Sequence, residues 1–360
     1  METKKILLIR ADASVSMGTG HIMRMIALAQ AWQEEGGEAV FLCAEISPAL
    51  GARLKEEGFL LEKIQASPGC REDLEATCVA IARYGAESIP VALDGYQFDA
   101  DFQLGLKNAG CRLLVMDDYG HAAFYHADWV LNQNISAREE HYANRAPHTR
   151  LLLGTKFALL RREFLKYRGW QRQIPETARK VLISLGGADP DNATGKFIEA
   201  LDPLHLEVKV VVGGSNPHLP ELEQAVESLK TQPSKIELVV NPKDMPSLMA
   251  WADLAIAAGG STAWELAFMG LPSLFVILAD NQVAIATELE SAGFGVCLGR
   301  GIDFKKDSLF LKMPTPQQSF NIFFDFMNNK SFRQQISLNS KNLVDGGGAK
   351  RLAEIFQKKK

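Results

Sequence analysis

Short apolar runs alternate with amphipathic stretches along this chain, and the alternation starts afresh halfway. "KILLIRA" precedes residues 21–35, where Ile22, Met25, Ile26, Ala29 and Trp32 recur at helical spacing. "EAVFLCAE", "IPVALDGY", "CRLLVMDDYG" and "ADWVLNQN" follow, with the helix-like "SPALGARLKEEG" after the first of them. Continuous apolar strands divided by helices predict a parallel sheet covered on both faces. Beyond the basic, proline-containing stretch 161–178 the pattern resumes with "KVLISLGGADP", "LEVKVVVGGSN", "KIELVVNP", "ADLAIAAGGST" and "LPSLFVILAD". The expected fold class is therefore α/β, with two Rossmann-like domains, 1–165 and 166–325, facing a central cleft. Ligands gather where strand C-termini meet such a cleft.

Composition narrows the function classes. A net charge of −4 argues against a nucleic-acid partner, which calls for a basic stripe. "METKKILLIRAD" turns polar too soon for a signal peptide or a membrane span, so a cytoplasmic protein with no membrane partner is expected. The five cysteines form no CxxC pair, and the seven histidines form no HExxH pattern. His121 and His126, the closest pair, make a poor metal site. No metal and no cofactor are expected.

Four loops could carry chemistry. "RADASVSMGTGHIMR" (10–24) joins the first strand to the first helix. Its G-T-G lacks the third glycine of GxGxxG and the GK[ST] of a Walker A loop, so it is no standard phosphate loop. His21 starts the helix, and a neutral imidazole there could accept a proton as a general base. Asp12 either orients His21 or binds ligand. "SLGGADPDNAT" ends a strand with Gly186-Gly187, and Asp189 to Asn192 can cap the next helix. In "AGGSTAWELAFMGLPSLFVILADNQ", Ser261 and Thr262 open a helix and could donate to phosphate oxygens. Glu265, one turn on, could grip ribose hydroxyls, and Asn281-Gln282 close the next strand. Ser-Thr-x-x-Glu also reads as a capping box. Finally, Asp94-Gly95-Tyr96 and Asp117 to Gly120 end two apolar strands and read equally as ligand contacts or solvated turns.

The GG-S/T-x-x-E…G-L-P…N/Q segment resembles the donor half of GT-B nucleotide-sugar enzymes. Together with R-A-D-x(5)-G-T-G-H-x-x-R, "LDGY", "DDYG", "LNQN", "SLGGADPDN" and "LVDGGGAKR", the chain most resembles the UDP-sugar hydrolases of pseudaminic acid biosynthesis. The resemblance implies a GT-B fold, with helices in 326–360 packing back on the N-terminal domain. It implies a metal-independent hydrolase that releases UDP and a free 2,4-diacetamido-2,4,6-trideoxy sugar, with a UDP-sugar transferase as the alternative; a monomer is expected. His21 would activate water, and Tyr96 and Asn281 would place sugar and water. Gly186, Gly187, Ser261 and Thr262 would surround the diphosphate. Arg10, Asp12, Gly20, Arg24, Asn192, Glu265 and Gln282 would complete the substrate contacts. The segment 301–320 fits the family pattern less well than the rest.

Overall fold

The first sheet is built from β1 (Ile6–Ala11), β2 (Glu38–Cys43), β3 (Leu60–Lys63), β4 (Pro90–Asp94), β5 (Arg112–Met116), β6 (Trp129–Asn132) and β7 (Arg150–Leu153). Every pairing is parallel, in the order β3-β2-β1-β4-β5-β6-β7. The second sheet uses β8 (Lys180–Ser184), β9 (Glu207–Val212), β10 (Lys235–Val240), β11 (Leu254–Ala258), β12 (Ser273–Ile277) and β13 (Val296–Arg300). Its order, β10-β9-β8-β11-β12-β13, repeats that of the first, again all parallel. The architecture is that of a computed structural model describing residues 5–14, 17–85, 88–187, 189, 191–213, 216–229, 233–300 and 316–358. Most of 301–320, together with Val15, Ser16, Ala188 and Pro190 of the motifs above, lies outside the described residues.

Two units emerge from the contacts between elements: Met1–Arg162 with Gly346–Lys360, and Glu163–Asp345. Each sheet has one point where the strand order reverses, between β1 and β4 in the first unit and between β8 and β11 in the second. Loops leaving the C-terminal ends of those paired strands lie side by side, the usual ligand position in such sheets. In the first unit they are the loop into α1 (Gly20–Glu34) and the loop beginning at Asp94. In the second they are the loops at Gly186-Gly187 and at Gly259-Gly260.

Helix α1 is buried more completely than its one apolar stripe predicts. Besides Ile22, Met25, Ile26, Ala29 and Trp32, it also buries Ala27, Leu28 and Ala31. The cause is the terminal helix Gly348–Gln357, which covers its outer side with Leu352, Ala353 and Phe356. Phe356 meets Trp32 and Trp129 edge-on, at 6.2 and 5.5 Å. Gly348 is where this helix touches the chain most closely: a Cβ there would fall 2.2 Å from the carbonyl oxygen of Ala158. The "GGG" of residues 346–348 is thus a packing requirement at its last position.

Two arginines of the junction stretch, Arg162 and Arg172, bind within the fold. Arg162 donates to Gln33 and Glu57 of the first unit, both at 2.9 Å. Arg172 lies in the second unit and donates to the carbonyls of Met249, Ala252 and Met269, where two helices end. Burial pushes its pKa down to about 10.

Candidate active site

The loop after β1 closes on itself before the helix begins. Gly18 takes φ +73, a conformation that suits glycine, and its N–H donates to the Ser14 carbonyl at 2.9 Å. Gly20 then opens α1, which places His21 at the helix start. The register of β1 against β4 pairs Ala11 with Asp94, so the carboxylate ending β4 arrives beside this loop. His21 Nδ1 lies 2.7 Å from Asp94 Oδ1. An ionised carboxylate only accepts, so Nδ1 carries a proton; in the neutral imidazole that leaves the lone pair on Nε2. Asp94, and not Asp12, is the partner of His21.

Arg24 follows His21 by three residues and lies on the same helical face. Its guanidinium grips Asp94 through Nε (2.7 Å) and a terminal nitrogen (2.6 Å), and Asp118 through the other, at 2.9 and 3.0 Å. Asp118 also accepts from the Tyr96 hydroxyl at 2.6 Å and from Asn134 at 2.8 Å. Tyr96 stands edge-on to His21, ring centroids 5.2 Å apart. Burial works against charge on Asp94, but Arg24 and then His21 outweigh it and hold the carboxyl well below the usual range. Arg24 is likewise raised well above its ordinary value by Asp118 and Asp94 against burial.

A second cluster lies beside the first. Asp117 accepts from the backbone N–H groups of Tyr119 and Gly120 at 2.7 and 2.6 Å, from Tyr125 at 2.6 Å, and from His121. Burial raises the Asp117 pKa, but His121 and the other donors override it and lower it. Burial lowers the His121 pKa, but Asp117 overrides it and raises it. Asp94 and Asp117 therefore add stability that is complete above about pH 4, the ordinary carboxylate value, and that is lost as pH falls through their depressed folded values. The melting temperature should drop below about pH 4, and Asp117→Asn should make that acid decline shallower. A decline parallel to the wild type would contradict this assignment.

Arg10 and Asp12 are sealed from solvent in a separate lattice. Arg10 makes a bidentate pair with Asp73 at 2.8 and 2.6 Å and lies 2.7 Å from Asp12. Asp12 accepts from the N–H groups of Ala44 and Glu45, at 2.7 and 2.9 Å, and from Gln97 at 3.2 Å. These two residues tie together the loops after β1, β2 and β4.

In the second unit, Gly186 takes φ +94, and the space where its Cβ would stand is open, as it is at Gly260. Gly187 backs onto Gly213, whose Cβ would fall 2.9 Å from the Gly187 Cα. Asp189 caps the following helix, accepting from Ala193 and Thr194 at 2.9 and 2.8 Å, and Asn192 accepts from Gly195 at 3.1 Å. Ser261 precedes the helix Thr262–Phe268 and makes no side-chain cap hydrogen bond, while Glu265 lies in its first turn. Asn281 and Gln282 sit in the 3-10 turn Asp280–Gln282, where Gln282 accepts from Leu278 N–H at 2.9 Å. The fourteen residues singled out by sequence thus fall into a group of Gly20, His21, Arg24 and Tyr96, a sealed Arg10–Asp12 group, and the loops of the second unit. In the sequence Asp94 and Asp118 are legible only at the ends of apolar strands, and nothing there joins them to His21. Among the described residues no group of three or more His, Cys, Asp or Glu could hold a metal ion. None of the helices among those residues is long and apolar enough to cross a membrane.

Residues 186–302 match the model of the glycosyltransferase family 28 C-terminal domain. The Bacillus subtilis spore coat polysaccharide biosynthesis protein SpsG is 24% identical over 96% of both chains. An N-acetylglucosamine transferase of Sulfurimonas denitrificans, which acts on an undecaprenol-linked muramyl pentapeptide, is 38% identical over 33% of this chain and 36% of its own. A Helicobacter pylori protein combining a pseudaminic acid cytidylyltransferase with a UDP-sugar hydrolase is 29% identical over 54% of this chain. Several relatives are longer: the match spans 55% of a Methanocaldococcus jannaschii protein and 34% of the Helicobacter one. In three dimensions the chain is similar to Acinetobacter baumannii MurG, with a TM-score of 0.66, 17% identity, and coverage of 99% and 100% of the two chains. That likeness establishes the GT-B fold. The chain is a GT-B protein related to enzymes that process UDP-sugars.

The same matches overturn the expected hydrolase. The domain model over residues 186–302 is a glycosyltransferase model. Relatives with transferase names, and structures of glycosyltransferases that span nearly the whole chain, dominate the likenesses. Metal-independent hydrolysis with a histidine base and a place in pseudaminic acid biosynthesis are corrected accordingly.

Proposed function

We propose that this chain is a glycosyltransferase that takes its sugar from a UDP-linked donor. One observation carries the proposal: residues 186–302, which match the transferase domain, contain both glycine loops at the reversal point of the second sheet. Open space at Gly186 and Gly260 lets a diphosphate approach the backbone, where N–H donors stabilise the charge of the leaving UDP. Gly187, Ser261 and Thr262 would complete this cradle. Asn192, Glu265 and Gln282 would hold the nucleoside and sugar.

The first unit supplies the proton chemistry. His21 Nε2 takes the proton of an acceptor hydroxyl as its oxygen bonds to the anomeric carbon. The bond from that carbon to UDP breaks, and UDP leaves with the electron pair. Asp94 holds the imidazole in the required tautomer, as an orienting carboxylate does for other histidine bases. Tyr96 and Asn281 would place the sugar, and Gly20 would give it room. Arg24 fixes Asp94, while Arg10 and Asp12 support the loop ends. The proposal is tested by whether UDP release from a UDP-sugar depends on an added hydroxyl acceptor.

A further inference from the structure

One exposed aromatic ring adjoins the His21 cluster. Tyr119 is 46% exposed and is the only aromatic among the exposed large apolar side chains described in the first unit. Its ring centroid lies 5.1 Å from that of Tyr96, which in turn meets His21 at 5.2 Å. The rings make a continuous series from a largely buried imidazole out to solvent.

A lone exposed tyrosine is ordinary. Here, however, the backbone beneath the ring is fixed. The N–H groups of Tyr119 and Gly120 both donate to Asp117 Oδ1, at 2.7 and 2.6 Å. Gly120 takes φ +84, and a Cβ on it would fall 2.6 Å from the carbonyl of His141. A ligand stacking on this ring would not have to pay for ordering the loop. Its neighbours Asp117, Asp118 and His121 are polar but largely buried and bonded within the fold, so the ring itself is the surface a ligand meets. A long alkyl chain would need an apolar trough there. A sugar ring offers one face of C–H groups, polarised by their oxygens, to the electron-rich aromatic face, and keeps its hydroxyls in water.

We propose that Tyr119, backed by Tyr96, is an acceptor subsite that stacks the C–H face of a pyranose ring, so that the acceptor is a saccharide. This inference rests on the transferase reading above. Saturation-transfer NMR with methyl β-cellobioside and N,N′-diacetylchitobiose tests it without turnover, using octanol as competitor. The wild type should transfer saturation to ring C–H protons. Tyr119→Ala should weaken binding about three- to tenfold, and Tyr119→Trp should restore it. Unchanged binding in Tyr119→Ala, no binding by the wild type, or displacement by octanol alone would overturn the subsite. In turnover, Tyr119→Ala should raise the acceptor KM and leave the donor KM unchanged. Acceptor-dependent turnover with an unaltered acceptor KM would sink the subsite and spare the transferase reading. Saccharide binding lost in Tyr119→Ala, with no transfer by the wild type, would do the reverse.

Discussion

Asp94→Ala is expected to cost the protein about 3–5 kcal/mol, because it strips a buried guanidinium of one of its two carboxylates. Arg24 has almost no access to water, and its bonds to Asp94 are among the shortest in the unit, at 2.6 and 2.7 Å. Asp118 would remain as its sole carboxylate partner, shared with Tyr96 and Asn134. Denaturant unfolding should show the loss as a lower midpoint. Asp94→Asn separates stability from chemistry. The amide still accepts from Arg24, but it can turn its own N–H toward His21 and favour the wrong tautomer. The Asn variant should be more stable than the Ala variant and still lose most of kcat. Near wild-type stability for Asp94→Ala would mean that Arg24 finds water or another partner.

The second large effect is catalytic. His21→Ala should lower kcat by about 10²–10⁴-fold, the usual contribution of a positioned general base. The imidazole is not part of the sheet core, and Arg24 keeps both carboxylates, so the melting temperature should change little. Affinity for UDP should also be unaffected, because the glycine loops proposed to hold it belong to the other unit. A variant that turns over at the wild-type rate would remove His21 from the mechanism.

Much of the fold was legible because strands buried on both faces read as unbroken apolar runs. β1, β4, β8, β11 and β12 all show that pattern. The strands not legible in this way, β3, β7 and β13, each lie at an edge of their sheet. Their residues are half exposed, so "LLEK", "RLLL" and "VCLGR" carry no buried run to notice. Helix α1 was recognised by one apolar stripe, but its outer cover comes from a helix more than 300 residues away in sequence.

The site was legible loop by loop and not as a set. His21 drew attention through its glycines and helix start. Its carboxylate partner lies 73 residues on and reaches it only because β4 pairs with β1. For Asp12 the sequence leaves two roles open, orienting His21 or binding ligand. Asp12 points instead into the Arg10–Asp73 lattice. Arg24, one turn from His21, is expected from the motif as a substrate contact; its grip on Asp94 and Asp118 shows only when the strands that carry them are paired.

The most direct test of the account is to measure where the sugar goes. Purified protein would be incubated with a panel of UDP-sugars, with and without saccharide acceptors, and both UDP and sugar products quantified. Transfer predicts that UDP release rises sharply with acceptor and is matched mole for mole by glycosylated acceptor. Equal UDP release without acceptor, accompanied by free sugar, would contradict it.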